Sequence, residues 1–218
     1  MARSLKGFQS KAPSRADAAL EWLELRSREL FWGAVAVIVL AAGIWFYQKS
    51  QAAQAHNAAV ALDEAEQALN SGNLPLAQSD LEKMVRRYES TPAGKVGRIL
   101  LAQVHYQKGE YQQGADALKP LSDADDPYFT ARANNLAAAG LEQLHKYPEA
   151  AAGYQRAAGK TRIDTDRASY LLSAARALNL AGKREEAKAI WQRLAADPMA
   201  AGAPEARVRL GELGAGGG

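Results

Sequence analysis

The 218-residue chain contains no cysteine and only three histidines. The absence of cysteine excludes disulfide bonds, thiolate zinc sites, cysteine nucleophiles and a lipoprotein acylation site. The histidines, His56, His105 and His145, lie far apart in the sequence, and no Ser/His/Asp grouping accompanies them. Neither a phosphate-binding loop nor a calcium loop is recognisable. We therefore expect neither an enzyme nor a protein with a metal, a cofactor or a small-molecule substrate.

The chain also lacks a marked excess of charge of either sign. Its formal net charge is +3, and residues 48–218 carry 21 Lys/Arg against 20 Asp/Glu, which are the totals of 27 and 24 less the six and four in residues 1–29. Because no basic face is available, we expect no binding of nucleic acid. Alanine supplies much of the 48% of hydrophobic residues, and it favours helices over strands. The composition thus predicts an all-α fold.

One long run without charge, Leu30–Gln48, lies between Glu29 and Lys49. Residues 30–47 are apolar, and as a helix they would span roughly 27 Å, close to the ~30 Å of bilayer hydrocarbon. Aromatic residues stand near both ends of the run, as they do in interfacial belts. They are Phe31, Trp32, Trp45, Phe46 and Tyr47. We expect a single transmembrane helix over residues 30–48, in contact with the lipid bilayer.

The charges that flank this run predict its orientation. Six Lys/Arg precede it, and Lys49 alone follows within about 20 residues, so the N-terminus should stay in the cytoplasm and the remainder should cross. A cleaved export signal is the alternative, because Ala53-Gln54-Ala55 has the form that signal peptidase cuts, and cleavage would give a secreted soluble protein. The run is longer than a signal sequence requires, and neither Gly nor Pro breaks the helix before Ala55. The sequence therefore favours a retained anchor.

One face of the anchor is rich in small residues. Gly33, Ala36, Leu40 and Gly43 share this face and could admit another helix closely. Glycine and alanine are common in membrane helices generally, and we favour this simpler explanation of the pattern.

A repeat is present in the remainder of the chain. The segments SGNLPLAQSDLEKM, KGEYQQGADALKPL, HKYPEAAAGYQRA and AGKREEAKAIWQRL align on Gly72, Gly109, His145 and Gly182, which are 37, 36 and 37 residues apart. Each segment then has a small residue followed by a large apolar one, and each is preceded by a stretch with helical periodicity. A glycine that can adopt a positive φ closes a helix. The pattern therefore predicts four helical hairpins, with DADDPYF (123–129) as a longer loop between two of them.

This pattern resembles the tetratricopeptide repeat over about residues 58–197. The resemblance implies a superhelix of about four repeats within residues 49–200, which binds an extended peptide or a partner helix on its inner surface. Each candidate residue for that surface could equally be part of the solvated face of an amphipathic helix. The candidates carried over from the family are Gln103, Tyr106, Gln107, Arg132, Asn135, Glu142, Gln143, Arg176 and Asn179.

The remaining segments complete the predicted organisation. Residues 1–19 are expected to be a disordered cytosolic tail and residues 20–29 a juxtamembrane helix. Residues 201–213 are expected to cap the repeats with a final helix, and residues 214–218 to form a disordered tail.

The whole arrangement is similar to the ancillary SecYEG translocon subunit family. The residues that carry this resemblance are EWLELRSREL, WFYQKSQ and AAVALDEAEQALNSG. It implies a non-catalytic scaffold on the periplasmic side of the bacterial inner membrane. The implied partners are a SecYEG-type translocon, a membrane-anchored periplasmic chaperone and newly exported polypeptides. The alternative is a structural subunit of another envelope complex, such as one for cell division or envelope biogenesis.

Overall fold

The computed structural model describes residues 27–215. Within this range the chain forms nine α-helices and no strand, which confirms the all-α prediction. The predicted tail 1–19, most of the predicted helix 20–29 and residues 216–218 lie outside the described residues. The chain divides into two units, the first ending at Ala53 and the second beginning at Gln54.

The first helix, α1, extends over Ser27–Asn70. Its stretch from Phe31 onward is long and apolar enough to cross a membrane. In the first unit most of the large apolar side chains that the structure describes are exposed, and Phe46 has 71% of its surface accessible. Such exposure over consecutive helical turns is unfavourable in water and favourable in hydrocarbon. Gly33 and Gly43 have no neighbouring atom within 4 Å of an added Cβ, and Ala36 and Leu40 are exposed.

Eight shorter helices follow, and the C-terminal part of α1 pairs with the first of them. We call the hairpins first to fourth: the end of α1 with α2, α3 with α4, α5 with α6, and α7 with α8. The bounds are α2 Leu74–Tyr88, α3 Pro92–Gln107, α4 Tyr111–Ser122, α5 Pro127–Gln143, α6 Tyr147–Lys160, α7 Asp164–Leu180, α8 Arg184–Ala196 and α9 Ala203–Ala215.

The turns inside the hairpins share one backbone geometry. Gly72, Gly109, His145 and Gly182 have φ values of 75°, 77°, 57° and 78°. In each turn the N–H of the next residue donates to a carbonyl five residues earlier, as from Glu110 to His105 at 2.8 Å. This is the Schellman arrangement, which requires a left-handed residue directly after the helix. The turn positions predicted from the repeat are therefore confirmed.

Side-chain caps begin three of the helices. The side chains of Asn73, Thr91 and Asp126 accept hydrogen bonds from backbone N–H groups in the following turn. Pro127 occupies the first helical position of α5, where its missing N–H costs nothing. The predicted loop 123–129 is consequently too long: the cap ends the loop at Asp126, and residues 127–129 belong to α5.

Small and large side chains alternate in the interior as the repeat pattern predicts. Ala77, Ala150 and Ala187 are fully buried, and Gly114 occupies the same position in the second hairpin. The large residues that follow are almost fully buried as well, and replacing such a leucine by alanine typically costs about 2–5 kcal/mol. They are Leu81, Leu118, Tyr154 and Trp191.

The last helix covers the end of the fourth hairpin. Ala203 and Ala206 of α9 are fully buried, and Leu210 and Leu213 pack against the cluster that contains Trp191. The helix starts two residues after the predicted start at 201 and ends at Ala215, inside the stretch expected to be a disordered tail.

Candidate protein-binding surface

The candidate surface is formed by the first helices of the hairpins, α3, α5 and α7. Of the nine predicted residues, Gln103 and Gln107 lie on α3, Gln143 on α5 and Asn179 on α7, and all four are exposed. Their amide groups can donate to and accept from the backbone of an extended chain. Asn135 of α5 is half-buried.

Tyr106 has a packing role within the second and third hairpins. Its hydroxyl donates to the carbonyl of Leu136 at 3.0 Å. An added Cβ at Gly114 would lie 2.2 Å from the Tyr106 ring, and one at Gly140 would lie 2.3 Å from its hydroxyl oxygen. The ring thus occupies the space that two glycines leave open between α4 and α5. Burial raises the pKa of the Tyr106 hydroxyl above its usual range.

Two further predicted residues bind other parts of the same chain. Glu142 accepts a hydrogen bond from the Tyr154 hydroxyl at 2.8 Å. The Arg176 guanidinium binds the carboxylate of Glu205 on α9, with Nε donating to Oε1 at 2.6 Å. This hydrogen bond lowers the pKa of the Glu205 carboxyl. Sequence periodicity did not indicate these contacts, because their partners lie 12 and 29 residues away.

Arg132, the remaining predicted residue, lies at a cleft between the first helices of the third and fourth hairpins. We call this the α5–α7 cleft; its volume is about 320 Å³. Its wall includes Tyr128, which is 53% exposed, and Ile163, which is 49% exposed. The Arg132 guanidinium lies over the Tyr128 ring, 5.3 Å from its centroid, and donates to its hydroxyl.

Charges of both signs surround this apolar wall. Arg132 and Arg162 face the cleft together with Asp126 and Asp166. Burial, followed by the Asp166 carboxylate, raises the pKa of the Tyr170 hydroxyl. Tyrosine and arginine are the residue types most enriched among those that dominate binding energy at protein interfaces. The α5–α7 cleft therefore has the composition of a protein-binding site.

Tyr128, Ile163 and Tyr170 line the cleft but are not among the residues predicted from the sequence. Tyr128 was assigned to a loop, although Asp126 followed by Pro127 has the form of a capped helix start. In that register Tyr128 and Arg132 are four residues apart on one helix, and their side chains meet. Ile163 lies in a loop that helical periodicity does not describe.

Within residues 27–215, no three acidic, histidine or cysteine side chains are grouped as a metal site would require. The α5–α7 cleft, with its aromatic and aliphatic wall, suits a polypeptide segment.

Comparison with protein families gives one finding. The sequence profile of the tetratricopeptide repeat-like domain matches residues 20–119 and, in a second alignment, residues 60–174. Together the two matches extend over more than half of the chain and include the first three turn residues. Comparison with curated proteins gives no match.

Proposed function

We propose that this chain, which belongs to the tetratricopeptide repeat-like domain family, is a non-catalytic scaffold. In this proposal it is anchored in a membrane and binds proteins through α3, α5 and α7. Domains of this family commonly mediate contacts between proteins. The observation that carries the proposal is the α5–α7 cleft, where Tyr128 and Ile163 are about half exposed beside Arg132. Exposed aromatic and aliphatic groups beside paired charges can bury apolar area and still satisfy polar groups of a partner.

The anchor in this proposal is the apolar part of α1. Phe31, Trp32, Trp45 and Phe46 are each more than three-fifths exposed, and they mark the two ends of the apolar run. Arginines and lysines precede the run, and this supports a cytoplasmic N-terminus with the hairpins on the outer side. In a bacterial cell this arrangement corresponds to a single-pass inner-membrane protein with a periplasmic domain.

We further propose that this scaffold is an ancillary translocon subunit. It would link a SecYEG-type channel with a membrane-anchored periplasmic chaperone and receive newly exported polypeptides. The support is the resemblance carried by EWLELRSREL, WFYQKSQ and AAVALDEAEQALNSG, together with a cleft suited to an extended chain. A structural role in a cell-division or envelope-biogenesis complex is the competing assignment.

Site-specific crosslinking tests the binding surface. A photoreactive amino acid at Tyr128 or Gln103 is expected to capture a translocon component, a chaperone or an exported chain in intact cells. The matched control is Gln113, which is exposed on α4, a second helix. Products that form only from the first-helix positions and decrease with Arg132→Ala support the proposal. Equal products from Gln113 would contradict the binding surface, whereas products containing cell-division or envelope-biogenesis proteins would favour the competing assignment.

Fractionation tests the anchor and its orientation. We expect the intact 23.4 kDa chain to remain in membranes after alkaline extraction. Protease added to the outer side of the inner membrane should digest the hairpins and leave the N-terminal segment protected. A shorter, soluble product would show cleavage behind Ala55, and digestion of the hairpins from the cytoplasmic side alone would contradict the orientation.

A further inference from the structure

Most of the acceptor groups that line the α5–α7 cleft are already bound within the chain. One carboxylate oxygen of Asp126 accepts a hydrogen bond from the backbone N–H of Tyr128 at 3.2 Å, and the other lies 3.4 Å from the Lys95 ammonium. The hydroxyl of Thr161 accepts a hydrogen bond from the N–H of Ile163 at 3.2 Å. The N–H groups of a partner therefore meet few free acceptors along this wall.

The donor groups of the same cleft remain available. The Arg132 guanidinium donates to the Tyr128 hydroxyl oxygen, which leaves the proton of that hydroxyl free to bind a ligand. Neither Arg132 nor Arg162 forms an ion pair with a carboxylate in the part of the chain that the structure describes. Asp166 lies in the first turn of α7, where the helix N-terminus stabilises a carboxylate. The electrostatic complement of the cleft is therefore a ligand rich in acceptors and poor in donors.

The apolar wall of the cleft is held in place by hydrogen bonds within the chain. Tyr128 and Ile163, which are about half exposed, belong to different elements, and Tyr170 of α7 lies beside them. The backbone is extended at Thr161 and at Ile163. The carbonyl of Ile163 accepts from the Arg167 N–H at 2.9 Å, and the carbonyl of Thr161 accepts from the Arg167 guanidinium at 3.0 Å. Because the wall is preformed, binding costs little conformational entropy on this side.

Proline suits a cleft that combines an aromatic wall with free donors. Segments rich in proline are bound in aromatic-lined grooves, where their rings pack on the aromatic faces. Proline has no backbone N–H, so its burial leaves no donor without an acceptor, while its carbonyl oxygen still accepts hydrogen bonds. Neighbouring prolines also favour the extended polyproline II conformation before binding, which lowers the entropy cost. Other residues would each bring an N–H group to a wall whose acceptors are mostly used.

We propose that the α5–α7 cleft binds an extended, proline-containing segment of a partner polypeptide. The Tyr128 and Ile163 side chains pack against its rings, and the Tyr128 hydroxyl, Arg132 and Arg162 donate to its carbonyl oxygens. This inference rests on the proposed function, since the cleft is part of the candidate protein-binding surface. It narrows the partner from polypeptides in general to segments that contain proline, whatever their net charge.

Peptide binding to the full-length chain in a mild detergent tests this preference. The probes are three capped hexapeptides with the same fluorescent label and glycine at both ends. Their four central residues are all proline, all alanine or all glutamate, and fluorescence anisotropy measures the Kd of each. We expect the proline peptide to bind about tenfold or more tightly than the alanine peptide, because the N–H groups that the alanine peptide buries lack acceptors.

Variants of the wall locate the bound peptide. Tyr128→Ala should weaken binding of the proline peptide about tenfold, and Tyr128→Phe, which keeps the ring, should have a smaller effect. Ile163→Ala should weaken binding about fivefold because apolar contact area is lost. The matched control is Leu180→Ala, which should leave binding unchanged. Leu180 is 55% exposed, close to the 49% of Ile163, but it lies at the opposite end of α7 and does not line the cleft.

Three outcomes would overturn the inference. The first is equal binding of the proline and alanine peptides, and the second is tighter binding of the glutamate peptide, which would show that the cleft selects charge instead. The third is binding of the proline peptide that neither Tyr128→Ala nor Ile163→Ala weakens. Crosslinking at Tyr128 in intact cells separates such a failure from failure of the proposed function. If Tyr128 still captures a partner, the candidate protein-binding surface stands and only the preference for proline is wrong.

Discussion

Gly140→Ala tests the packing of Tyr106 between the second and third hairpins. A Cβ at position 140 would lie 2.3 Å from the Tyr106 hydroxyl oxygen and 2.6 Å from the ring carbon that bears it. The ring would have to move, and its hydrogen bond to Leu136 would break. Overpacking of this kind costs about 1–3 kcal/mol, and the hydrogen bond contributes about 1 kcal/mol.

The same substitution also stabilises the helix itself. Alanine is about 1 kcal/mol more favourable than glycine inside a helix, and this roughly offsets the lost hydrogen bond. We therefore expect Gly140→Ala to lower the free energy of unfolding by about 1–3 kcal/mol. Urea unfolding of the full-length chain in a mild detergent, followed by far-ultraviolet circular dichroism, measures this change.

A matched control and a double mutant separate the steric effect from general effects of glycine. An added Cβ at Gly211 of α9 would meet no atom within 4 Å, so Gly211→Ala should raise stability by about 0.5–1 kcal/mol. Tyr106→Phe removes the atom nearest to the new Cβ, and it should cost less stability in the Gly140→Ala background than in the wild type. If Gly140→Ala were as stable as the wild type while Tyr106 is present, the described packing would be wrong.

Two further changes test the turns and the attachment of α9. His145→Gly should raise the free energy of unfolding by about 1 kcal/mol, because residue 145 has a left-handed φ of 57° that glycine adopts without strain. Gly109→Ala should lower the free energy of unfolding by a similar amount, and thermal unfolding compares the two variants. A loss of stability in His145→Gly would show that the contact between His145 and the Tyr147 hydroxyl at 2.7 Å outweighs the backbone strain. Glu205→Gln should cost about 0.5–1 kcal/mol at pH 7, a small value because solvent reaches the ion pair. Arg176 lowers the pKa of the Glu205 carboxyl in the folded state from its ordinary value of 4.5. The ion pair therefore stabilises the fold above pH 4.5, and this stabilisation is lost as the pH falls through the folded-state pKa. Urea unfolding at pH 7 and pH 3 checks this, and an equal difference at both pH values would contradict it.

The turn positions could be predicted because their physical requirement is local. A helix that ends in a Schellman turn needs a left-handed residue, and glycine provides one at least cost. Gly72, Gly109 and Gly182 are separated by 37 and 73 residues, and a repeat of 36 or 37 residues therefore predicts the third turn at His145, where the residue type alone does not. The alignment of the four segments on their turn residues also predicted which small and large residues after each turn are buried.

The candidate protein-binding surface was predictable only in part, because the contacts of its side chains join residues distant in the chain. Periodicity indicated that Glu142 and Arg176 lie on first helices, but it does not specify that Tyr154 and Glu205 bind them. Tyr128 was not predicted as a residue of this surface, because the acidic residues and the proline before it indicate a loop. An aspartate directly before a proline can equally begin a helix, and the structure shows that it does here.

The four equivalent turns have a consequence for how such a chain can change in length. If the segment between two successive turn residues is duplicated or deleted, the residues at the new junction already share the same left-handed backbone conformation. Gene duplication or deletion of 36 or 37 residues could therefore add or remove one whole hairpin without requiring a new connection. The reach of the protein toward a partner is thus adjustable in discrete steps, while the helix that closes the stack stays the same.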